Sequence, residues 1–156
     1  MSTINGLPAH ILLVHFIVVL APLTALLAIV ASIWAPVRRR LVWLIAVLAV
    51  LTLVLTPLTT EAGEWLEHQL GDSAAVQAHA QLGNTMLYFS AALLVAAALL
   101  VVAHLRDVRG AESKPVVSVT IAVFVIVVSL ATTIQVVRIG DSGAQAVWGG
   151  GPAAQQ

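Results

Sequence analysis

The 156-residue chain contains no cysteine. That excludes disulfides, thiolate-held metals, iron–sulfur clusters and thioether-attached haem. Charge is scarce as well: 9% of residues are charged, where an ordinary soluble domain has about 25%. Seven basic residues balance seven acidic ones, so no basic surface for nucleic acid is offered. Catalytic signatures are also missing. There is no His-Glu-x-x-His, no Gly-rich phosphate loop and no Gly-x-Ser-x-Gly. "GDSG", Gly140 to Gly143, stands alone and reads as an outer turn. Met1 to Pro8 has neither Lys nor Arg. The basic leader of a secretory signal is therefore absent, and the first apolar run is expected to stay as a span.

What fills the chain is apolar: 60% of residues are hydrophobic. Four long runs stand out, at about 10–36, 41–60, 84–105 and 115–138. Each reaches the roughly 20 residues that cross a bilayer. These runs predict an all-α integral membrane four-helix bundle forming one domain over 1–149. An outer helical segment is expected at about 61–83 and a disordered tail at 150–156. Pro57 predicts a kink in the second span, with neighbouring Thr hydroxyls taking up freed carbonyls. Ser90, Ala91, Ala92, Ala96, Ala97 and Ala98 predict close helix packing by the third.

Six of the seven basic residues (Arg38, Arg39, Arg40, Arg106, Arg109 and Lys114) fall in the connections after spans one and three. The positive-inside rule puts those short loops in the cytoplasm and both termini outside.

Counting about 20 residues outward along each span brings polar groups to one outer level. His15, Glu61, Asn84, Gln135 and Arg138 lie close to it, and His10 and His79 about 7–10 Å beyond. Asn84, Gln135 and Arg138 read as a structural polar layer. His10 and His15 are about 140° apart around a helix, so one straight helix does not aim both at one small ion. Glu61, Glu64 and His68 share a helical stripe, and carboxylate with imidazole suits Zn, Fe or Mn. His104, beside Arg106, reads as a structural helix-end histidine.

The stretches "GLPAHILLVHF", "TTEAGEWLEHQLG", "AHAQLGNTMLY" and "RIGDSGAQAVWG" occur in this order. Together they resemble the small four-span bacterial family known as domain of unknown function 2231, from Leu7 to about Gly149. The resemblance implies recurrent polar residues at His10, His15, Glu61 and His79. It also implies occasional company with Rieske or cytochrome domains, hence a redox setting. Related chains often carry His where Asp141 stands, so a ligand role is not carried over to that position.

Two classes of function follow. In the first, the outer polar groups bind a cofactor. Haem b would use His15 and His79, with His10 as substitute; a divalent metal would use His10, Glu61, Glu64 and His79. In the second, the chain is a non-catalytic structural or assembly subunit of a respiratory or other membrane complex, or a homo-oligomer, joined through small residues. Transport fits poorly, because spans two and four carry no Asp, Glu, Lys or Arg in their middles.

Overall fold

The computed structural model describes residues 3–4, 7–70, 73–110 and 114–148. Two short strands, β1 (Thr3–Ile4) and β2 (Leu7–Pro8), pair antiparallel with Thr3 opposite Pro8 and Ile4 opposite Leu7. Four helices follow: α1 (Ala9–Ile33), α2 (Ala35–Leu70), α3 (Ala74–Val108) and α4 (Pro115–Trp148). Each packs on the next, and α4 closes back on α1. All four are long and apolar enough to cross a membrane.

The interior of the bundle combines large apolar side chains, Val42, Ile45, Leu93 and Leu100 among them, with many small and hydroxyl residues: Ala21, Ala25, Ala28 and Ala31 on α1, with Thr52, Ser90 and Thr132 on the other helices. The outside carries large apolar side chains, with Val19 62% and Val127 59% exposed. Lipid solvates such a surface, and small interior residues let helix backbones approach. Within the small-residue run of α3, Ser90, Ala96 and Ala97 are buried, while Ala98 is exposed.

The helices exceed the apolar runs. Arg38, Arg39 and Arg40, expected in a loop, stand in the first turns of α2, and Trp34 alone separates α1 from α2. Pro36 explains the short joint. Its ring would strike the Ser32 carbonyl in a continuing helix, but it suits a first turn. "GDSG" likewise lies within α4 and is not a turn. The expected outer segment at 61–83 is the continuation of α2 and the beginning of α3. Ser73 caps α3, its Oγ accepting from the Val76 N–H at 3.2 Å. Gly110, at φ +67°, ends α3 in the left-handed conformation that glycine adopts freely. The tail at 150–156 lies outside the described residues.

Pro57 sits inside α2. The nearby hydroxyls bond back along the helix: Thr52 to the Leu48 carbonyl, Thr56 to Thr52, Thr59 to Leu55 and Thr60 to Pro57. None of these acceptors is Leu53, whose carbonyl loses its partner at Pro57. The hydroxyls thus satisfy themselves inside the bundle without repairing the proline gap.

Candidate functional site

At the end of the bundle opposite the arginine-rich turn, the interior opens into a cavity of about 570 Å³. All four helices line it. His10 comes from α1, Gly63 from α2, His79 from α3 and Gly143 from α4.

His10 points inward and places Nδ1 2.9 Å from the Thr59 carbonyl oxygen. A carbonyl only accepts, so Nδ1 carries the proton and Nε2 keeps its lone pair. Gly63, one turn beyond Thr59, makes the approach possible. A Cβ there would stand 2.9 Å from His10 Nδ1.

The same construction recurs at His79. Ser142 Oγ donates to the Ile139 carbonyl at 2.8 Å. Having spent its proton, Oγ accepts from His79 Nδ1–H at 3.0 Å. Nε2 of His79 is again left with a lone pair. Gly143 provides the room, since a Cβ there would stand 3.0 Å from His79 Cε1.

The two rings face each other nearly perpendicular, 85° between planes, with centroids 6.2 Å apart. Each imidazole is therefore oriented through Nδ1 by an oxygen of a neighbouring helix. This is how proteins fix the tautomer of a ligating histidine and keep Nε2 for the ligand.

The other sequence candidates are placed differently. His15 is exposed on the outer face of α1 and bonds through Nδ1 to the Ile11 carbonyl of its own helix. The structure does not bring it to His79. Glu61 and Glu64 are both exposed; Glu64 reaches the cavity wall, and Glu61 is not part of it. Among the described residues no group of three or more His, Asp or Glu is arranged to hold a metal. Of the set His10, Glu61, Glu64 and His79, the cavity wall gathers His10, Glu64 and His79.

The expected polar layer divides. Gln135 is buried and donates to Thr85 Oγ1 at 2.7 Å, tying α4 to α3. Asn84 is exposed at the cavity edge, and Arg138 is exposed. His68 is exposed on α2. His104 lies at the opposite end, its Nδ1 buried without a partner among the described residues.

The residues that sequence reasoning passed over are the glycines. Besides Gly63 and Gly143, Gly83 and Gly140 line the cavity, and a Cβ at either would meet nothing within 4 Å. A glycine inside a helix costs about 0.5–1 kcal/mol relative to alanine. Four around one space mark it as one the fold keeps open at some cost in stability.

The family model for predicted membrane protein (DUF2231) matches residues 6–155. The chain belongs to this family. No curated protein and no solved structure matches it. Within this member of the domain of unknown function 2231 family, "GLPAH", "EAGEW", "AHAQLGN" and "GDSG" each supply one wall of the same cavity: His10, Gly63, His79 with Gly83, and Gly140 with Gly143.

Proposed function

We propose that this chain is a membrane haem b protein whose iron is held between His10 and His79. The observation that carries this reading is the matched pair of imidazoles, each donating through Nδ1 to a fixed oxygen, across an apolar cavity built by all four helices.

Ligand number favours haem over a bare ion. Zinc in a structural site takes four protein ligands, whereas a porphyrin brings four nitrogens of its own and asks the protein for two. Both imidazoles could be offered to one group in the shared cavity. The rings stand 6.2 Å apart.

The bound group would supply one-electron chemistry. The protein's part is to hold both imidazoles as neutral Nε2 ligands, through Thr59 and Ser142, and to surround the group with apolar side chains. Burial and hydrogen bonds to the ligands are the levers that tune such a centre. Exchange of electrons needs a neighbour, which makes a respiratory or other membrane complex the expected partner. The gathering of basic residues at the far end supports an orientation with the histidine end and both termini on the outer side.

The test is an absorption spectrum of detergent-purified protein, expressed with ample haem, before and after dithionite. Sharp reduced-state bands that vanish in His10→Ala and His79→Ala and persist in His15→Ala are expected. A featureless spectrum from folded protein overturns the reading, as does loss of the bands in His15→Ala alone.

A further inference from the structure

The opposite end of the bundle holds a second, smaller cavity. Arg38 reaches from the first turns of α2 across to two other helices. Its NH1 donates to the Ala31 carbonyl on α1 at 3.2 Å, and its NH2 to Asp107 on α3 at 2.7 Å. Its Nε is buried and has no partner among the described residues. A buried donor without an acceptor is costly and calls for one. Beside this guanidinium lies a cavity of about 70 Å³ whose polar lining is Ser32, Arg38, Arg106, Asp107 and Ser118.

The charges at this end are mostly basic. Asp107 is spoken for by Arg38. Arg106 lines the cavity and forms no ion pair among the described residues. Arg39, Arg40, Arg109 and Lys114 stand around the same end. The space is several times the roughly 10–15 Å³ that one water needs. It admits a single phosphoryl group but not a whole lipid headgroup. Its apolar lining includes Val102, 50% exposed, and Val117, 43% exposed, which belong to the bundle's lipid-facing surface.

We infer that this cavity is a binding site for the phosphate of an anionic phospholipid. Arg106 donates to the phosphate oxygens, the Arg38 guanidinium adds its charge from beside the cavity, the Ser32 and Ser118 hydroxyls line the remainder, and the acyl chains lie against Val102 and Val117. Free phosphate has the same oxyanion chemistry. The lipid is favoured because the mouth opens beside a surface that only hydrocarbon covers well. Basic pockets between membrane helices bind acidic headgroups in this manner.

The experiment is lipid binding to delipidated full-length protein in neutral detergent, followed by native mass spectrometry and thermal unfolding. The probes are phosphatidylglycerol, phosphatidylcholine and inorganic phosphate. Phosphatidylglycerol is expected to bind as a single retained molecule and to raise the unfolding temperature. Arg106→Gln should weaken it about tenfold or more, the value of a charge-assisted hydrogen bond. Arg39→Gln, an exposed arginine off the cavity, should show at most the roughly fivefold loss of a general surface charge. Equal losses in the two variants would make the attraction a diffuse surface effect and overturn the site. Equal binding of phosphatidylcholine would overturn the anionic requirement. Displacement of the lipid by millimolar inorganic phosphate, with the same thermal shift, would overturn the lipid as occupant.

Discussion

Alanine at Gly63 separates the histidine site from the helix that carries it. The new Cβ would stand 2.9 Å from His10 Nδ1 and 3.0 Å from Cε1. Ordinary contact needs about 3.5–4.0 Å, so the ring has to retreat by roughly half an ångström or more. Thr59 O, now 2.9 Å from Nδ1, cannot follow, because it belongs to the backbone of α2. The hydrogen bond, worth about 0.5–1.5 kcal/mol net, is lost. Against this, replacing glycine inside a helix gains about 0.5–1 kcal/mol. The two nearly cancel, so Gly63→Ala should unfold close to wild type while His10 is displaced.

Gly140→Ala is the control. Its Cβ would meet nothing within 4 Å, so it should keep the gain and unfold about 1–4 °C higher. Thermal unfolding in detergent reads the first quantity, and nitrogen NMR of labelled imidazole reads the second. Gly63→Ala should move the His10 ring resonances with little change in unfolding temperature. If it were stabilised as much as Gly140→Ala and left those resonances where they were, the account of Gly63 as the notch for His10 would be refuted.

The same logic gives further expectations. Gly143→Ala should displace His79, whose Cε1 would lie 3.0 Å from the added methyl, and weaken retention of any haem. Ser142→Ala removes the acceptor for His79 Nδ1; in the haem reading it should shift the midpoint potential in redox titration, whereas a purely structural serine would change only unfolding. Ser129 is fully buried and its Oγ has no partner among the described residues, so Ser129→Ala should be neutral or stabilising by about 1 kcal/mol in a thermal assay. Asp107→Ala leaves Arg38 without its carboxylate. It should lower stability by about 1–3 kcal/mol, with Asp107→Asn recovering part of that loss because its amide oxygen still accepts.

Four spans and their order were legible because hydropathy reports what lipid tolerates. Their ends were not. Hydropathy falls off where a helix leaves the bilayer, yet α2 and α3 continue to Leu70 and from Ala74. The arginine triplet looked like a loop because charge marks an exit from lipid, but Pro36 had already fixed a helix start. At the site, residue type was readable and partnership was not. Counting depth sets His10 level with His79, about 7–10 Å beyond His15, but it ignores which way each helix faces and so leaves His15 a candidate. Small buried residues carry that information. At 100° per residue His10 lies about 20° from the direction of Ala21, and His15 about 120° from it. Ala21 is fully buried, so His10 turns inward and His15 toward lipid.

That phase relation holds on every helix. His10 precedes Ala21, Gly63 follows Thr52, His79 precedes Ser90 and Gly143 follows Thr132, each by eleven residues, and the four inner residues are all at 0% exposure. Eleven residues are three turns and about 16–17 Å. The site is therefore one layer of the bundle, set the same distance outward on each helix from a layer of close-packed alanine and hydroxyls. In that inner layer the four helices turn small, fully buried side chains to the interior. In the outer layer the facing residues on α2 and α4 shrink to glycine, those on α1 and α3 grow to histidine, and the histidines nest into the glycines. Close packing below holds the helices in register. The glycine–histidine exchange above then sets both ring orientations through the same backbone geometry, which is why a single methyl at Gly63 or Gly143 is expected to reach the chemistry before it reaches the fold.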